Sequence, residues 1–150
     1  MMRTFDSTVH DAIVHHPEIA SAFGCEVGEM QISFAEMAKY PDDFALLHNE
    51  ECDMAMAFEW SAPFTWQMHT LALPSCRGKR ALKDGKAMIR EMFVEHGACL
   101  IWGQTPVNLR AARIFNRWCG AKSVGFREQP LFGLSEVFMG LKDEWLERHP

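Results

Sequence analysis

The clearest pattern along the chain is a period of two in neighbouring segments. Residues 52–60 read CDMAMAFEW, where large apolar side chains alternate with small or charged ones. Residues 64–73 read FTWQMHTLAL and alternate in the same way, which places Met68 on one face and His69 on the other. Successive side chains of a strand point to opposite faces of a sheet. Because only a short break containing SAP separates the two segments, the pattern predicts an antiparallel hairpin.

Beyond this hairpin the period changes to that of a helix. Between residues 78 and 96 the apolar side chains recur at intervals of three and four, and lysine and arginine lie on the other side. This spacing predicts an amphipathic helix over 78–96 with Gly97 as its C-terminal stop. The next segment, ACLIW at 98–102, is uniformly apolar. Such a run predicts a strand that is buried on both faces.

A second long helix is predicted over about 108–119. Asn108 is a favourable N-cap and Gly120 closes the helix, after which strands are predicted at 122–129 and 134–141. The apolar stripe expected to pack against the core consists of Ala111, Ile114, Phe115 and Trp118. The basic stripe, interpreted as a solvated face, consists of Arg110, Arg113 and Arg117.

The N-terminal third carries weaker signals. They predict a strand at 2–6, a helix capped by Ser7, a turn at 40–43 and a strand at 44–48. The helix capped by Ser7 is predicted to end near His16. A second helix is predicted from Pro17 to about Phe23, and loops are predicted at Gly24 and Gly28.

The order of these elements predicts a mixed α/β fold with helices on both sides of a sheet. The strand at 64–73 reaches the strand at 98–102 through a helix, which is expected to form a right-handed parallel crossover. A chain of 150 residues is long enough for one core, so we expect a single domain over 1–150.

Composition and charge exclude several classes of function. A net charge of −5 argues against nucleic-acid binding, and no apolar run is long enough for a membrane span. The N-terminus lacks the apolar stretch of a secretory signal. Five cysteines without close pairing suit free thiols in a reducing cytoplasm. No spacing of ligand residues predicts a metal site.

One short basic stretch carries candidate chemistry. Residues 74–85 read PSCRGKRALKDG, where Arg77, Lys79 and Arg80 surround Gly78 at the start of the predicted helix. Backbone N–H groups in the first turn of a helix have no intrahelical acceptor, and together with these cations they would attract a phosphate group. The alternative is a solvated helix start that is merely basic.

Two motifs in this order resemble the GNAT acyl-CoA N-acyltransferase superfamily. The first is LALPSCRGKRAL, a strand end followed by a basic, glycine-containing loop and a helix. The second is NLRAARIFNRWCGA, with Asn108, Ala111 and Gly120. The resemblance covers about residues 44–141 and implies a GNAT-like fold, a central twisted mixed sheet with helices on both faces.

The resemblance also implies a cofactor, acetyl-CoA, which would serve as co-substrate. Its pantetheine arm would lie between the strands at 64–73 and 98–102, and would pair with the backbone near Leu71 and Leu73. Asn108 would hydrogen-bond that arm. The residues implied to hold the pyrophosphate are Arg77, Gly78, Lys79, Arg80 and Ala81. The loop departs from the family pattern, because Arg80 and Leu82 stand where small residues are usual.

Two residues are candidates for the general base that deprotonates an amine. His69 lies on a predicted strand two residues before Leu71, and imidazole titrates near neutrality. Glu59, at the end of the preceding strand, is the second candidate. The alternatives are a hydrogen-bonded core histidine and an exposed carboxylate at the end of the hairpin. Where many GNAT enzymes have a tyrosine acid, this chain has Phe115, and a tyrosine hydroxyl there is expected to point into the cofactor cleft.

Two functions follow from these observations. The first is an N-acetyltransferase that acts on an unidentified amine. The second is a non-catalytic head or virion assembly protein, because the wording of both motifs is most like GNAT-like proteins encoded by bacteriophages. Phage structural proteins would then be its partners. The expected location is the cytoplasm of a bacterial host, or the virion for the assembly protein, and neither a membrane nor a nucleic acid is expected as partner.

Overall fold

The computed structural model describes residues 2–22, 33–130 and 132–150. The predicted helix end near Phe23, the loops at Gly24 and Gly28, and Cys25 lie outside these ranges. The helices are α1 (Thr8–Val14), α2 (Pro17–Ala22), α3 (Phe34–Ala38), α4 (Gly78–Glu95), α5 (Arg110–Trp118) and α6 (Lys142–Arg148). The strands are β1 (Met2–Thr4), β2 (Phe44–His48), β3 (Met54–Ala62), β4 (Thr65–Ala72), β5 (Leu100–Pro106), β6 (Lys122–Gln129) and β7 (Gly133–Leu141).

The described strands form one seven-stranded sheet in the order β1-β2-β3-β4-β5-β7-β6. β3 and β4 pair antiparallel, which confirms the predicted hairpin. β4 and β5 are parallel and α4 lies between them in the chain, which confirms the predicted parallel crossover. All other neighbouring strands are antiparallel. The mixed α/β fold is therefore confirmed.

Helices cover both faces of the sheet, and each face has its own apolar cluster. On the α4 face, Met56 and Phe58 of β3 share a cluster with Met92 of α4. On the α1 face, Ala55 of β3 shares a second cluster with Ile13 of α1. The alternation read from residues 52–60 therefore has a direct cause, because neighbouring side chains of β3 belong to different cores.

The prediction that β5 is buried on both faces is wrong. Burial alternates along the strand: Ile101, Gly103 and Thr105 are buried and the residues between them are partly exposed. The buried positions face α4 and α5, since Ile101 belongs to the α4-face cluster and Thr105 accepts a hydrogen bond from α5. On the other face, α1 packs against β2, β3 and β4, so β5 is less covered there.

The orientation predicted for α5 is right for Phe115, which packs against the α4-face cluster, and wrong at the end of the stripe. Trp118 of the predicted core stripe is 62% exposed, while Asn116 is buried. The cause is Glu136 of β7, which is 1% exposed and accepts hydrogen bonds from Nε of Arg113 at 3.0 Å and from a terminal nitrogen of Arg117 at 2.7 Å. The guanidinium groups of Arg113 and Arg117 therefore reach the sheet, although Arg117 remains 46% exposed, so the predicted stripe is only partly solvated.

The C-terminal helix α6 closes the α4 face although no pattern in the sequence predicts it. Trp145 is buried at 2% exposure, and its indole N–H donates to the carbonyl of Cys119 at 2.8 Å. His149 stacks on the same indole with ring centroids 4.4 Å apart. These contacts attach α6 to the end of α5. None of the helices among the described residues has the length and apolar character needed to cross a membrane.

Candidate functional site

A gap between β4 and β5 is the main feature of the sheet. The two strands pair at three positions, and the last of these joins Gln67 to Trp102. Both strands continue beyond this pair, and over the described residues no further pairing joins them. They therefore enclose a wedge, formed by residues 68–72 and 103–106, whose apex is at Gln67 and Trp102. The wedge opens at the C-terminal ends of the two strands, which lead to the N-termini of α4 and α5.

The N-terminus of α4 faces open space next to the wedge. Its N-cap, Arg77, is extended and makes no side-chain capping bond. Gly78 has a φ of +66°, and a Cβ added there would meet nothing within 4 Å. Glycine enters this left-handed conformation without steric cost. The first N–H groups of α4 thus remain available to an anion, and the helix dipole favours negative charge at this end.

The three cationic side chains predicted to surround this terminus differ in their contacts. Arg77 and Lys79 are exposed. Arg80 instead donates to both carboxylate oxygens of Asp53, at 3.0 and 2.5 Å, and to the carbonyl of Ser75 at 2.6 Å. The expectation that Arg80 offers its side chain to phosphate is therefore corrected, because its guanidinium is held within the protein.

Asp53 is the centre of a buried polar network that sequence reasoning missed. Nδ2 of Asn49 donates to Asp53 at 2.7 Å and to Asp84 of α4 at 3.0 Å. Oδ1 of Asn49 accepts the backbone N–H groups of Asp53 and Met54. The hydroxyl of Ser75 donates to Asp53 at 2.9 Å. The network joins the β2–β3 turn to the loop before α4 and to α4 itself.

Electrostatics in this network favour the ionised form of Asp53. The bidentate hydrogen bonds from Arg80 lower the pKa of Asp53 well below its usual range; burial opposes this shift, while Asn49 and Ser75 reinforce it. A bidentate arginine–carboxylate pair fixes geometry as well as charge. The loop that leads into α4 at Gly78 is therefore held by an ion pair at neutral pH.

The structure brings the two candidate bases together. Nε2 of His69 lies 3.4 Å from Oε2 of Glu59, and both side chains are 48% exposed. Both residues lie on the α1 face of the sheet, because Ala57 of β3 pairs with His69 and belongs to the α1-face cluster. His69 follows the apex of the wedge by two residues. The alternative of a core histidine does not fit His69, because its side chain is exposed. Glu59 is exposed near the end of the hairpin, as its own alternative expected.

The backbone near the end of β4 is only partly available for a ligand. The N–H of Leu73 donates to the carbonyl of Asp53 at 2.8 Å, and its carbonyl accepts from Cys76 at 2.9 Å. The expectation that Leu73 pairs with a pantetheine arm is thus corrected. Leu71 lies within β4 beside the wedge, and its side chain is buried in the α1-face cluster. Ala81 packs in the α4-face cluster, so only its backbone can reach a ligand.

Two predictions on α5 also change. The N-cap is Leu109, and Asn108 lies in the preceding turn, where the N–H of Leu109 donates to the carbonyl of Pro106 at 3.0 Å. The ring of Phe115 does not point into the wedge. Its Cζ lies 2.8 Å from the position that a Cβ on Gly85 of α4 would take. The expectation that a tyrosine hydroxyl there would reach the cofactor cleft is therefore wrong.

Solved structures share this fold. The aminoglycoside acetyltransferase AAC(6')-Ib in complex with coenzyme A matches with a TM-score of 0.74 and 14% identity, over 99% of this chain and 95% of that one. The same enzyme in a complex with an aminoglycoside and acetyl-CoA matches equally well, over 99% and 94%. A mutant of the spermidine N-acetyltransferase SpeG from Vibrio cholerae matches with a TM-score of 0.62 and 12% identity, over 79% and 80%.

At these identities the likeness shows the fold and no more. The architecture implied by the GNAT resemblance is thereby confirmed. No protein-family profile matches the sequence, and no curated protein matches it either.

Proposed function

We propose that this chain binds acyl-CoA and transfers an acetyl group from acetyl-CoA to an amine. The wedge carries the proposal, because it combines unpaired strand edges with a helix N-terminus at its open end. An extended ligand can add to a strand edge through main-chain hydrogen bonds, while a pyrophosphate takes the free N–H groups of the helix. Neighbours of the same fold that were solved with coenzyme A or acetyl-CoA support this assignment.

In this proposal the pyrophosphate lies at the first turn of α4. The backbone N–H groups from Gly78 to Ala81 are its donors, and the side chains of Arg77 and Lys79 add Coulomb attraction. Arg80 contributes its N–H and keeps its guanidinium on Asp53. The pantetheine arm runs along β4 past Leu71 and reaches the apex, and the turn that contains Asn108 borders the open end.

The chemical step takes place at the apex, where the thioester would meet the α1 face of the sheet. A neutral His69 whose Nε2–H points to Glu59 keeps the lone pair of Nδ1 for a proton. The amine nitrogen attacks the thioester carbonyl, whose oxygen a strand N–H polarises. The new C–N bond forms as the C–S bond breaks. The electron pair leaves with the CoA thiolate, and His69 takes the proton of the amine.

The proposed acceptor follows from the side chains on the α1 face and from the substrates named for the structural neighbours. The carboxylate of Glu59, paired with His69, would attract the cationic form of an amine. The neighbours are named for spermidine and aminoglycosides, so polyamines and aminoglycosides are the first acceptors to test. The cytoplasm of a bacterial host, with a phage or prophage as source, remains the proposed context.

A second candidate is an assembly protein that binds acyl-CoA weakly or not at all. Phe115 in place of a tyrosine acid favours it, as does the glycine-poor loop. A CoA thiol is acidic enough to leave as thiolate without a strong acid, so the absence of the tyrosine predicts slow catalysis rather than none. In this candidate the partners are phage structural proteins of the head or virion.

Thermal unfolding with CoA and acetyl-CoA tests the proposal. Ligand at a hundredfold excess over its Kd stabilises the fold by about 2.7 kcal/mol, which corresponds to a rise in Tm of about 5–11 °C for a chain of this size. Gly78→Asp should abolish the rise, because it places a carboxylate at the anion site. Gly78→Asn is the matched control, since it has the same shape without the charge and also tolerates positive φ. An unchanged Tm of the wild type with millimolar CoA would reject acyl-CoA binding and leave the assembly candidate.

A further inference from the structure

An apolar cavity lies directly beyond the apex of the wedge. Its volume is about 30 Å³, and it lies on the α4 face of the sheet. Met68 and Gly103, the first residues of β4 and β5 after their last pair, both line it. Gly140 of β7 and Trp145 of α6 also line it. The cavity therefore lies next to the point where the two strands separate.

The polar atoms around this cavity are directed away from it or stay neutral. The indole N–H of Trp145 donates to the carbonyl of Cys119. Burial raises the pKa of the Cys119 thiol, which also lines the cavity, to about 12. The thiol thus stays protonated at neutral pH. A cavity of this character holds an apolar group in preference to water.

Resting on the proposed function, we propose that this cavity receives the acyl chain of the thioester and that it accepts a chain longer than acetyl. Gly103 and the backbone of Met68 are in contact, since a Cβ added to Gly103 would lie 3.3 Å from the carbonyl oxygen of Met68. A thioester just beyond this contact places its acyl carbon beside both residues, with the cavity on one face of the sheet and His69 on the other. The acyl chain and the attacking amine then approach the carbonyl from opposite faces of the sheet.

The volume sets the length of that chain. A cavity needs about 10–15 Å³ to hold one water-sized group, so this cavity holds about two such groups. The ethyl group of a propionyl thioester fits, whereas an octanoyl chain does not. Each methylene group that enters is expected to tighten binding about fourfold, which corresponds to the burial of one methylene.

The matched pair of variants for this proposal lies on one strand. A Cβ added to Gly140 would come no closer than 3.6 Å to the nearest atom, Cδ1 of Trp145, so Gly140→Ala fills part of the cavity without a clash. Val137 points to the opposite face of β7, since the residues on either side of it, Glu136 and Phe138, are buried on the α4 side of the sheet. Val137→Ile therefore adds a carbon to the same strand outside the cavity.

Isothermal titration calorimetry with acetyl-CoA, propionyl-CoA, butyryl-CoA and octanoyl-CoA tests the inference. The wild type and Val137→Ile should bind propionyl-CoA about fourfold more tightly than acetyl-CoA, and octanoyl-CoA more weakly than either. In Gly140→Ala the ratio of propionyl-CoA to acetyl-CoA affinity should fall to about one or below. Ile89→Val, which enlarges the cavity from α4, should raise the ratio of butyryl-CoA to propionyl-CoA affinity.

The outcomes separate this inference from the proposed function. If acetyl-CoA binds and propionyl-CoA binds no better, the acyl cavity is rejected while acyl-CoA binding stands. The same holds if Gly140→Ala and Val137→Ile change the ratio equally. If no thioester binds at all, both the proposed function and the cavity assignment fail.

Discussion

At the scale of single residues, the pair formed by His69 and Glu59 decides whether the chain can act as a catalyst. The two side chains lie on adjacent strands and meet at 3.4 Å on the open part of the α1 face. A carboxylate at this distance can accept the N–H of an imidazole and so fix the orientation of the ring. The pair has the arrangement of a base and its orienting group rather than that of a packing contact.

We therefore expect His69→Ala to lower kcat by about 10²–10⁴-fold with little change in the Kd for CoA, the range for loss of a general base. Thr65→Ala, on the same face of β4 but in the paired part of the strand before the apex, is the control and should change kcat much less. Turnover is measured by release of free CoA with the best polyamine or aminoglycoside acceptor. Equal losses of activity and of thermal stability in His69→Ala would mean that the histidine is structural.

Phe115 gives a second prediction at this scale. Because its Cζ lies against α4 at Gly85, the hydroxyl of Phe115→Tyr has to enter a packed helix interface. Overpacking of this kind typically costs about 1–3 kcal/mol. We expect a lower free energy of unfolding in urea and no gain in kcat. A stable Phe115→Tyr variant with faster acetyl transfer would show that the ring reaches the thioester after all.

At the scale of elements, the loop before α4 is held by the ion pair of Asp53 with Arg80. The pKa of Asp53 is depressed in the folded protein by this pair. Such a group contributes stability that is fully present above its unfolded pKa, about 4, and that is lost as the pH falls below this value. We therefore expect the attachment of the loop before α4 to weaken at acid pH.

Arg80→Met tests this attachment. The variant should have a lower Tm than the wild type at pH 7, and the difference should narrow between pH 4 and pH 2.5, where the wild type loses the contribution of Asp53. It should also bind CoA more weakly, because the N–H groups of the first turn lose their fixed position. Lys83→Met removes an exposed cation from the same helix and is the control for net charge. Identical acid curves for Arg80→Met and the wild type would contradict the role of the pair.

The elements that the sequence predicted well are those whose pattern has a local cause. The alternation in β3 and β4 and the helical period of α4 each reflect which side chains of that segment face the core. The predicted boundaries of these elements are therefore right within a few residues. The orientation of α5 had no such local signal. It depends on Glu136, which lies more than twenty residues after the helix begins and becomes a partner only once β7 is in place.

At the scale of the whole molecule, the same distinction applies to the candidate site. The sequence identified the loop at Gly78 and both candidate bases, since each is a recognisable residue type in a recognisable position. It could not show that Asp53 binds the guanidinium of Arg80, because Asn49 and Asp53 are typical residues of a polar turn. Nor could it show the cavity at Gly140, whose lining residues come from five elements, β4, α4, β5, β7 and α6.

The wedge makes a prediction that involves the sheet as a whole. Beyond Gln67 and Trp102 the facing edges of β4 and β5 have no strand partner, so their inward N–H groups exchange hydrogen with solvent more readily than those of paired strands. A ligand that adds to such an edge supplies the missing acceptors. In hydrogen–deuterium exchange we therefore expect CoA to protect residues 68–72 together with the first turn of α4.

The far edge of the sheet provides the internal control for that measurement. β6 is also an edge strand and lies two strands from β5. Gln129 at its end donates a hydrogen bond to Gln104 of the wedge, so the control is the rest of the strand, residues 122–128, whose exchange should be the same with and without CoA. Protection confined to α4 would indicate that the pyrophosphate binds without the arm entering the wedge. Protection spread evenly over the sheet would indicate general stabilisation. Only protection of β4 and α4 together, with β6 unchanged, fits a ligand that lies between the two parallel strands and ends at their apex.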